Sequence, residues 1–416
     1  MTRHGRLRRL RATVAAGTAW VALVGGGLVG ATPARGAPNG LRQLTETTLA
    51  PGVDYRRFAV STPHGTAYAH LLTVDLRTAR TATGLLYPDA VGARAPVTRL
   101  ADARGAVAAV NGDFFNITEI QHPGVEATGA PVGPAVAGGR VLKGAVPRGQ
   151  RFGPALPPGA SVRDVIGVGT DRRARVDRLS LRGTVRTPRG ALRLRGLNQY
   201  AVAVDGVGAF TSDWGTTSRV RATCGTDTDR SAPCSTETRE VTVRRGRVTA
   251  VARTPGKGAI ASDAVVLVGR EAGARALRGL RVGDPVRTAY TLKGTQRTPF
   301  DFAVGGYPIA RDGRPLEGLD AVTTAVRTGA GVGRGGRLLH LLALDGRAEY
   351  RSGLTIAELA EVMLELGARD VVNLDGGGSS TLVTRPPGGT RTKVRNHPSG
   401  GSERPVPNGI GVFTRS

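Results

Sequence analysis

Val371-Val372-Asn373-Leu374-Asp375-Gly376-Gly377-Gly378-Ser379-Ser380-Thr381-Leu382-Val383-Thr384 reads as an apolar strand, a glycine–serine loop and a returning strand. Three consecutive glycines cost backbone entropy when they are ordered. The run therefore predicts a loop with work to do: its N–H groups would form a nest for an anion, and the Ser379 and Ser380 hydroxyls would add donors. No Lys follows the glycines, which excludes a nucleotide-type phosphate loop. Gly377-Gly378-Ser379-Ser380-Thr381 lacks the closing Gly of a nucleophile elbow. Just upstream, Thr355-Ile356-Ala357-Glu358 has the spacing of a helix capping box. Ile356, Leu359, Ala360, Met363 and Leu366 then share one helix face, and Gly367 supplies a stop.

The same pattern, an apolar strand ending in a polar residue beside Gly, recurs outward from this segment. Residues 106–110 run into Asn111-Gly112-Asp113-Phe114-Phe115, and 338–344 end at Asp345-Gly346. Residues 322–326 read as a strand ending at Arg327-Thr328-Gly329-Ala330-Gly331, and 302–309 as one strand that turns at Asp312-Gly313. Residues 41–95 read as strands and 96–104 as a short helix. Residues 160–295 are β-rich and Arg-rich, with a hairpin signal at Arg245-Gly246. The expected fold class is α+β: mixed, twisted β-sheets with a few flanking helices. Residues 37–95 form an N-terminal β-rich segment, and 96–416 form the main domain with a β-rich insertion at about 165–295.

Composition sets the outer bounds. The chain has 416 residues, a formal charge of +26, only 4% aromatics and 61 Gly that do not recur every third residue, so a collagen-like chain is excluded. Four residues are Lys, so the charge is carried by Arg. The codon usage of a GC-rich genome produces such a bias, and so does attraction to polyanions such as phosphate-bearing wall polymers. No nucleic-acid-binding motif is found, so nucleic acid is not an expected partner. Arg3, Arg6, Arg8, Arg9 and Arg11 precede an apolar stretch at 14–31, followed by Ala34-Arg35-Gly36-Ala37. This is the layout of a signal peptide over residues 1–36, cleaved after Gly36. No membrane span is expected after cleavage, and the product is secreted or cell-wall associated. In an exported chain the only cysteines, Cys224 and Cys234, are expected to pair as a disulfide. With no nearby His in the sequence they are too few for a zinc site. His122 in a loop and Trp214, the only Trp after residue 36, are residues that could border or stack on a sugar.

Five stretches in order resemble the phosphodiester glycosidase family. They are Val110-Asn111-Gly112-Asp113-Phe114-Phe115, Gly305-Gly306-Tyr307-Pro308, Arg327-Thr328-Gly329-Ala330-Gly331, Asn373 to Thr381, and Glu403-Arg404-Pro405-Val406-Pro407-Asn408. The likeness spans roughly residues 100–415 and is loose over 165–295. Val326, Gly329 and Asp113 depart from residues common in the family. The resemblance implies hydrolysis of a sugar-1-phosphodiester at the anomeric C–O bond, with a phosphorylated glycan, wall polymer or exopolysaccharide as substrate and no cofactor.

A phosphate leaving group needs charge stabilisation more than protonation. Arg327 and Arg404 suit that role, because guanidinium binds phosphate oxygens bidentately. Asn111 and the run Gly376, Gly377, Gly378, Ser379 and Ser380 complete the expected substrate-binding set. A carboxylate must stabilise the oxocarbenium-like centre or activate water. The candidates are Asp375 and Glu403 first, then Asp345 and Asp113. Two other readings remain open at this stage. One is a non-catalytic wall-associated module that binds phosphorylated polymers. The other is a phosphodiesterase whose Asp113, Asp345 and Asp375 gather a divalent metal.

Overall fold

The computed structural model describes residues 40–346 and 352–414. The expected signal peptide lies outside the described residues. The fold is sheet-dominated: strands fall into four sheets, with three short α-helices among the described residues. The α+β expectation thus holds in its sheets, while helix is a minor component.

The largest sheet has eight strands, all antiparallel to their neighbours. Their order is Leu41–Ala50, Val53–Thr62, Gly65–Asp75, Leu338–Leu344, Thr328–Gly333, Ala368–Leu374, Tyr307–Arg311 and Arg314–Pro315. The N-terminal strands therefore continue the sheet that carries the C-terminal motifs. A five-stranded sheet places Ala108–Asn111 between Leu382–Thr384 and Gly409–Thr414. A seven-stranded sheet is drawn wholly from residues 180–293, and the hairpin expected at Arg245-Gly246 joins Thr238–Arg244 to Arg247–Ala252 with φ of 50° and 77°.

Helix α1 is Val97–Ala103, α2 is Ala272–Leu277 and α3 is Ile356–Glu365. The capping box of α3 forms as its spacing predicts: Glu358 N donates to Thr355 Oγ1 at 3.1 Å, and Thr355 N donates to the Glu358 carboxylate at 2.8 Å. Ile356, Leu359, Ala360, Val362 and Met363 are buried, and Gly367 (φ 98°) ends the turn.

Two local readings are corrected. Residues 322–326 are not a strand, and Val322 is 84% exposed. The strand is Thr328–Gly333, which includes the glycines read as a strand's end. Those glycines serve packing under α3. A Cβ on Gly331 would sit 2.8 Å from Met363 Cε, and one on Gly329 would touch Leu359 at 3.4 Å. Residues 302–309 are not one strand but two, Phe300–Gly305 and Tyr307–Arg311, and they belong to different sheets.

Candidate active site

The Thr328–Gly333 strand runs antiparallel to both Leu338–Leu344 and Ala368–Leu374. Its start and the ends of the other two therefore meet at one end of the sheet, which gathers Arg327, Asp345 and Asp375 there. Asn111 arrives from the neighbouring sheet and clamps the glycine loop. Its Nδ2 donates to the Asp375 carbonyl at 2.7 Å, and its Oδ1 accepts from Thr328 Oγ1 at 3.1 Å and Thr381 N at 3.0 Å. Thr328 Oγ1 also meets Ser380 Oγ at 2.9 Å.

Three of the loop's N–H groups are already engaged by protein acceptors. Gly377 N donates to Val326 O at 2.7 Å, Ser379 N to Gly376 O at 3.1 Å and Ser380 N to Gly377 O at 3.2 Å. The glycines have another physical reason. A Cβ on Gly376 would lie 2.5 Å from Val326 O, Gly377 has φ 59°, and a Cβ on Gly378 would meet the Arg404 guanidinium at 2.3 Å. Arg404 thus lies directly over Gly378, beside Ser379 Oγ at 3.5 Å.

Asp375 is partly exposed, and its carboxyl is pushed up to about 7. Burial is the main cause and the charge of Asp113 adds to it; Ser379, Arg404 and the Gly376 N–H oppose it. A carboxylate poised near neutrality is what acid–base chemistry needs. Arg94, which no motif flagged, lies close enough to Arg404 to feel its charge; burial first and that repulsion second lower its pKa. Its guanidinium covers the Phe115 ring at 5.4 Å. Arg404 therefore sits near the raised carboxyl, and Arg94, also partly exposed, lies within electrostatic reach of Arg404.

The other candidates take different places. Asp113 is buried and accepts from Phe114 N at 2.8 Å and Gly133 N at 2.6 Å, while its own N–H donates to Asn408 Oδ1 at 2.9 Å. Burial pushes the Asp113 carboxyl up and the Lys143 ammonium down, each restrained by the charge of the other. Lys143 is fully buried on the carbonyls of Val132, Gly133 and Gly144. Glu403 does not face the glycine loop through hydrogen bonds of its own. Its carboxylate accepts from Thr98 N at 3.0 Å and Thr98 Oγ1 at 2.5 Å, satisfying a donor at the start of α1. Arg327 is buried, donating Nε to Leu354 O at 2.9 Å and Nη2 to Thr323 O at 2.7 Å. Asp345 is buried between two histidines: Oδ1 lies 3.0 Å from His70 Nε2 and 3.0 Å from His397 Nδ1, and accepts from His397 N at 2.7 Å. Arg57 approaches Oδ2 at 3.5 Å.

Trp214 is fully buried, edge-on to Phe210 at 5.0 Å, so it packs the core and does not present a face to a sugar. His122 is buried between Glu119 (2.7 Å) and the Ala232 carbonyl (2.9 Å). Cys224 and Cys234 form a disulfide, as expected. Free-thiol labelling should find neither, and replacing both by Ser should cost about 2–3 kcal/mol for so short a loop. Among the described residues, His122, Cys224 and Cys234 are the one trio close enough to share a metal, and their sulfurs are bonded to each other. Asp113, Asp345 and Asp375 do not come together as such a group.

Asn408, Lys143 and Arg94 were missed at the level of sequence. Asn408 ends the fifth motif, so it was available. Its Oδ1 would lie 2.3 Å from a Cβ on Gly112, which explains that glycine.

Residues 237–413 match the sequence profile of the family described as phosphodiester glycosidase. A 59-residue stretch is 44% identical to the Bos taurus N-acetylglucosamine-1-phosphodiester alpha-N-acetylglucosaminidase, covering 14% of this chain and 11% of that protein. The match thus spans about a tenth of the curated relative. Two solved structures share the fold. One is a hypothetical protein from Synechocystis, at 22% identity and TM-score 0.68, covering 90% of this chain and 64% of that one. The other is a protein of Burkholderia pseudomallei predicted to be exported, at 20% identity and TM-score 0.69, covering 91% and 97%. No helix among the described residues is long and apolar enough to cross a membrane. The last four of the five motifs fall inside the matched range and the first, at 110–115, lies outside it: this chain resembles the phosphodiester glycosidases, and residues 237–413 are the part the family describes.

Proposed function

We propose that the chain is an exported hydrolase that cleaves a sugar-1-phosphodiester at the anomeric C–O bond. The observation that carries this reading is the pairing of the Asp375 carboxyl, raised by burial to about 7, with Arg404 held over Gly378. Arg404 and Arg94 hold the phosphate and neutralise the charge that builds on it as the bond breaks. Ionised Asp375 takes a proton from the water that attacks the anomeric carbon. The sugar leaves with the new hydroxyl, and the phosphate leaves as a monoester with its P–O bonds intact. Asp113 and Asn111 are positioning residues in this scheme: the first raises Asp375, and the second fixes its carbonyl and the loop. Glu403 positions Arg404 by anchoring the preceding residue on α1, and Arg327 braces the start of its strand. Export is supported by the sequence of residues 1–36 and by the disulfide.

The test is a series of sugar-1-phosphodiesters incubated with the protein, with and without chelator. Free sugar and a phosphomonoester are expected in equal amounts, unaffected by chelator. Failure of every member to react, or loss of activity on chelation, contradicts the reading. Arg404→Ala is expected to raise KM at least ~10-fold and also lower kcat, because the guanidinium holds phosphate in both ground and transition states. Steady-state kinetics on the best substrate of the series measures both.

A further inference from the structure

The seven-stranded sheet carries an unusual face. Strand Ser180–Thr187 pairs on one side with Gly190–Leu197 and on the other with Arg287–Lys293. Opposed residues share a face, and alternate residues of a strand share it too. One face of the three strands is therefore Ser180, Arg182, Thr184 and Arg186, with Arg193 and Arg195 on one flank and Arg287 and Lys293 on the other. The opposite face supplies Val185 and Leu194 to the core, with Leu181, Leu192 and Tyr290 packed against it. Arg182, Arg186, Arg193, Arg195, Arg287 and Lys293 are all exposed, and none has an acidic partner among the described residues. That absence separates this face from the other Arg-rich parts of the same region. Arg244 and Arg245 pair with Asp263, and Arg275 and Arg278 pair with Glu237. A compositional bias toward Arg puts such residues on the solvent face of a sheet but does not explain the lack of counter-charges.

Arg182, Arg193 and Arg195 also wall a groove of about 720 Å³, joined there by Arg148, Arg163 and Arg178. Arg178 is neutralised by buried Asp164 at 2.7 Å, and the groove's one acid is Asp227. The groove continues along Ser161 and Val162, which also line the small space around Asp113, Arg151 and Tyr307.

We infer that this face and groove dock a linear polymer linked by phosphodiesters, with one guanidinium for each of several successive phosphates. Strand spacing puts neighbouring rows about 4.8 Å apart, and Arg182 about 13 Å from Arg186. The footprint is thus many times that of one phosphate. Nucleic acid fits it less well, because no aromatic side chain on the face offers a base a stacking platform. An anionic bilayer fits less well too: the groove is concave, and none of the exposed large apolar residues, Ile117, Ile120, Val251, Val282 and Val322, lies on the face. The inference deepens the proposed function, since it makes the substrate polymeric, but the binding it asserts is measured without turnover.

The probe is linear poly(glycerol phosphate), titrated against the mature chain between about 50 and 200 mM salt. Binding should weaken steeply with salt. The triple variant Arg182→Gln, Arg193→Gln, Arg195→Gln should lose at least ~10-fold in affinity and flatten the salt slope by about 2–3. Its hydrolysis of a small sugar-1-phosphodiester should be unchanged. Arg244→Gln with Arg245→Gln removes two charges from Arg that pair with Asp263 and should bind as the parent does. Wild-type binding by the triple variant, or equal loss in the Arg244/Arg245 control, overturns the inference. Tighter binding of duplex DNA or anionic phospholipid vesicles at the same salt overturns the choice of occupant. If no protein hydrolyses the small substrate while the triple variant still loses polymer binding, the proposed activity falls and the docking surface stands.

Discussion

Asp375→Asn is expected to lower turnover by at least ~10², the scale of a positioned acid–base group, while raising stability above neutral pH. The two effects have one cause. Burial holds the Asp375 carboxyl at about 7 in the folded protein, against about 4 in the unfolded chain. Between those values the folded state binds the extra proton, so stability falls as pH rises through the window and the full cost is present above about 7. Asn removes the cost and keeps a side chain that can still meet Ser379. The variant should therefore melt roughly 2 °C or more above the parent at pH 8 and show no such gain at pH 4. In the parent, kcat/KM should rise with pH through an apparent pKa of about 7, because the ionised form is the base. A rate that falls through that window would assign Asp375 to acid catalysis instead. A variant that is both active and no more stable would remove it from the site.

Asp345→Ala should be the most destabilising of the site substitutions, by about 3–5 kcal/mol in denaturant unfolding. Asp345 ties His70, the His397 backbone and ring, and Arg57 together at a buried point, and His70 in turn meets the Tyr55 hydroxyl at 2.7 Å. Removal leaves the buried His70 ring without its acceptor and takes a shared anchor from His397 and Arg57. Burial pushes the Asp345 carboxyl up, but the His70 hydrogen bond and charge, together with His397, outweigh it and hold it below the usual carboxylate range. Its contribution is therefore present above about pH 4 and lost as pH falls below that. Burial also holds His70 below its ordinary value and His340 down to about 4, so a further loss should begin as pH falls through about 6.5. A cost under about 1 kcal/mol for Asp345→Ala would show that the network is slack.

What the sequence made legible was the local chemistry with a period or a spacing behind it. The capping box at Thr355, the hairpin at Arg245-Gly246, the disulfide and the strand leading into Asp375 all depend on residues a few positions apart. What it hid was set by contacts across the chain. Gly329 and Gly331 read as the end of a strand, yet they line a central strand because α3 lies against them, a neighbour 30 residues away in sequence. The Gly376–Ser380 run read as a nest for an anion, and composition does not reveal that the N–H groups of Gly377, Ser379 and Ser380 find acceptors at Val326 and within the loop. Glu403 and Thr98 are separated by 305 residues, so the carboxylate's engagement at α1 had no local signature. Arg94 and Lys143 are single residues without a motif, and only the fold brings them near Arg404 and Asp113. Trp214 was equally consistent with stacking or packing until burial decided it.

The central claim is that the broken bond is the sugar's C–O bond, with Asp375 activating the water that replaces phosphate at carbon. Hydrolysis of a sugar-1-phosphodiester in oxygen-18 water, followed by mass analysis of both products, tests it directly. The account predicts the label on the anomeric hydroxyl of the released sugar and none in the phosphomonoester. Label in the phosphate would contradict it, because water would then have attacked phosphorus.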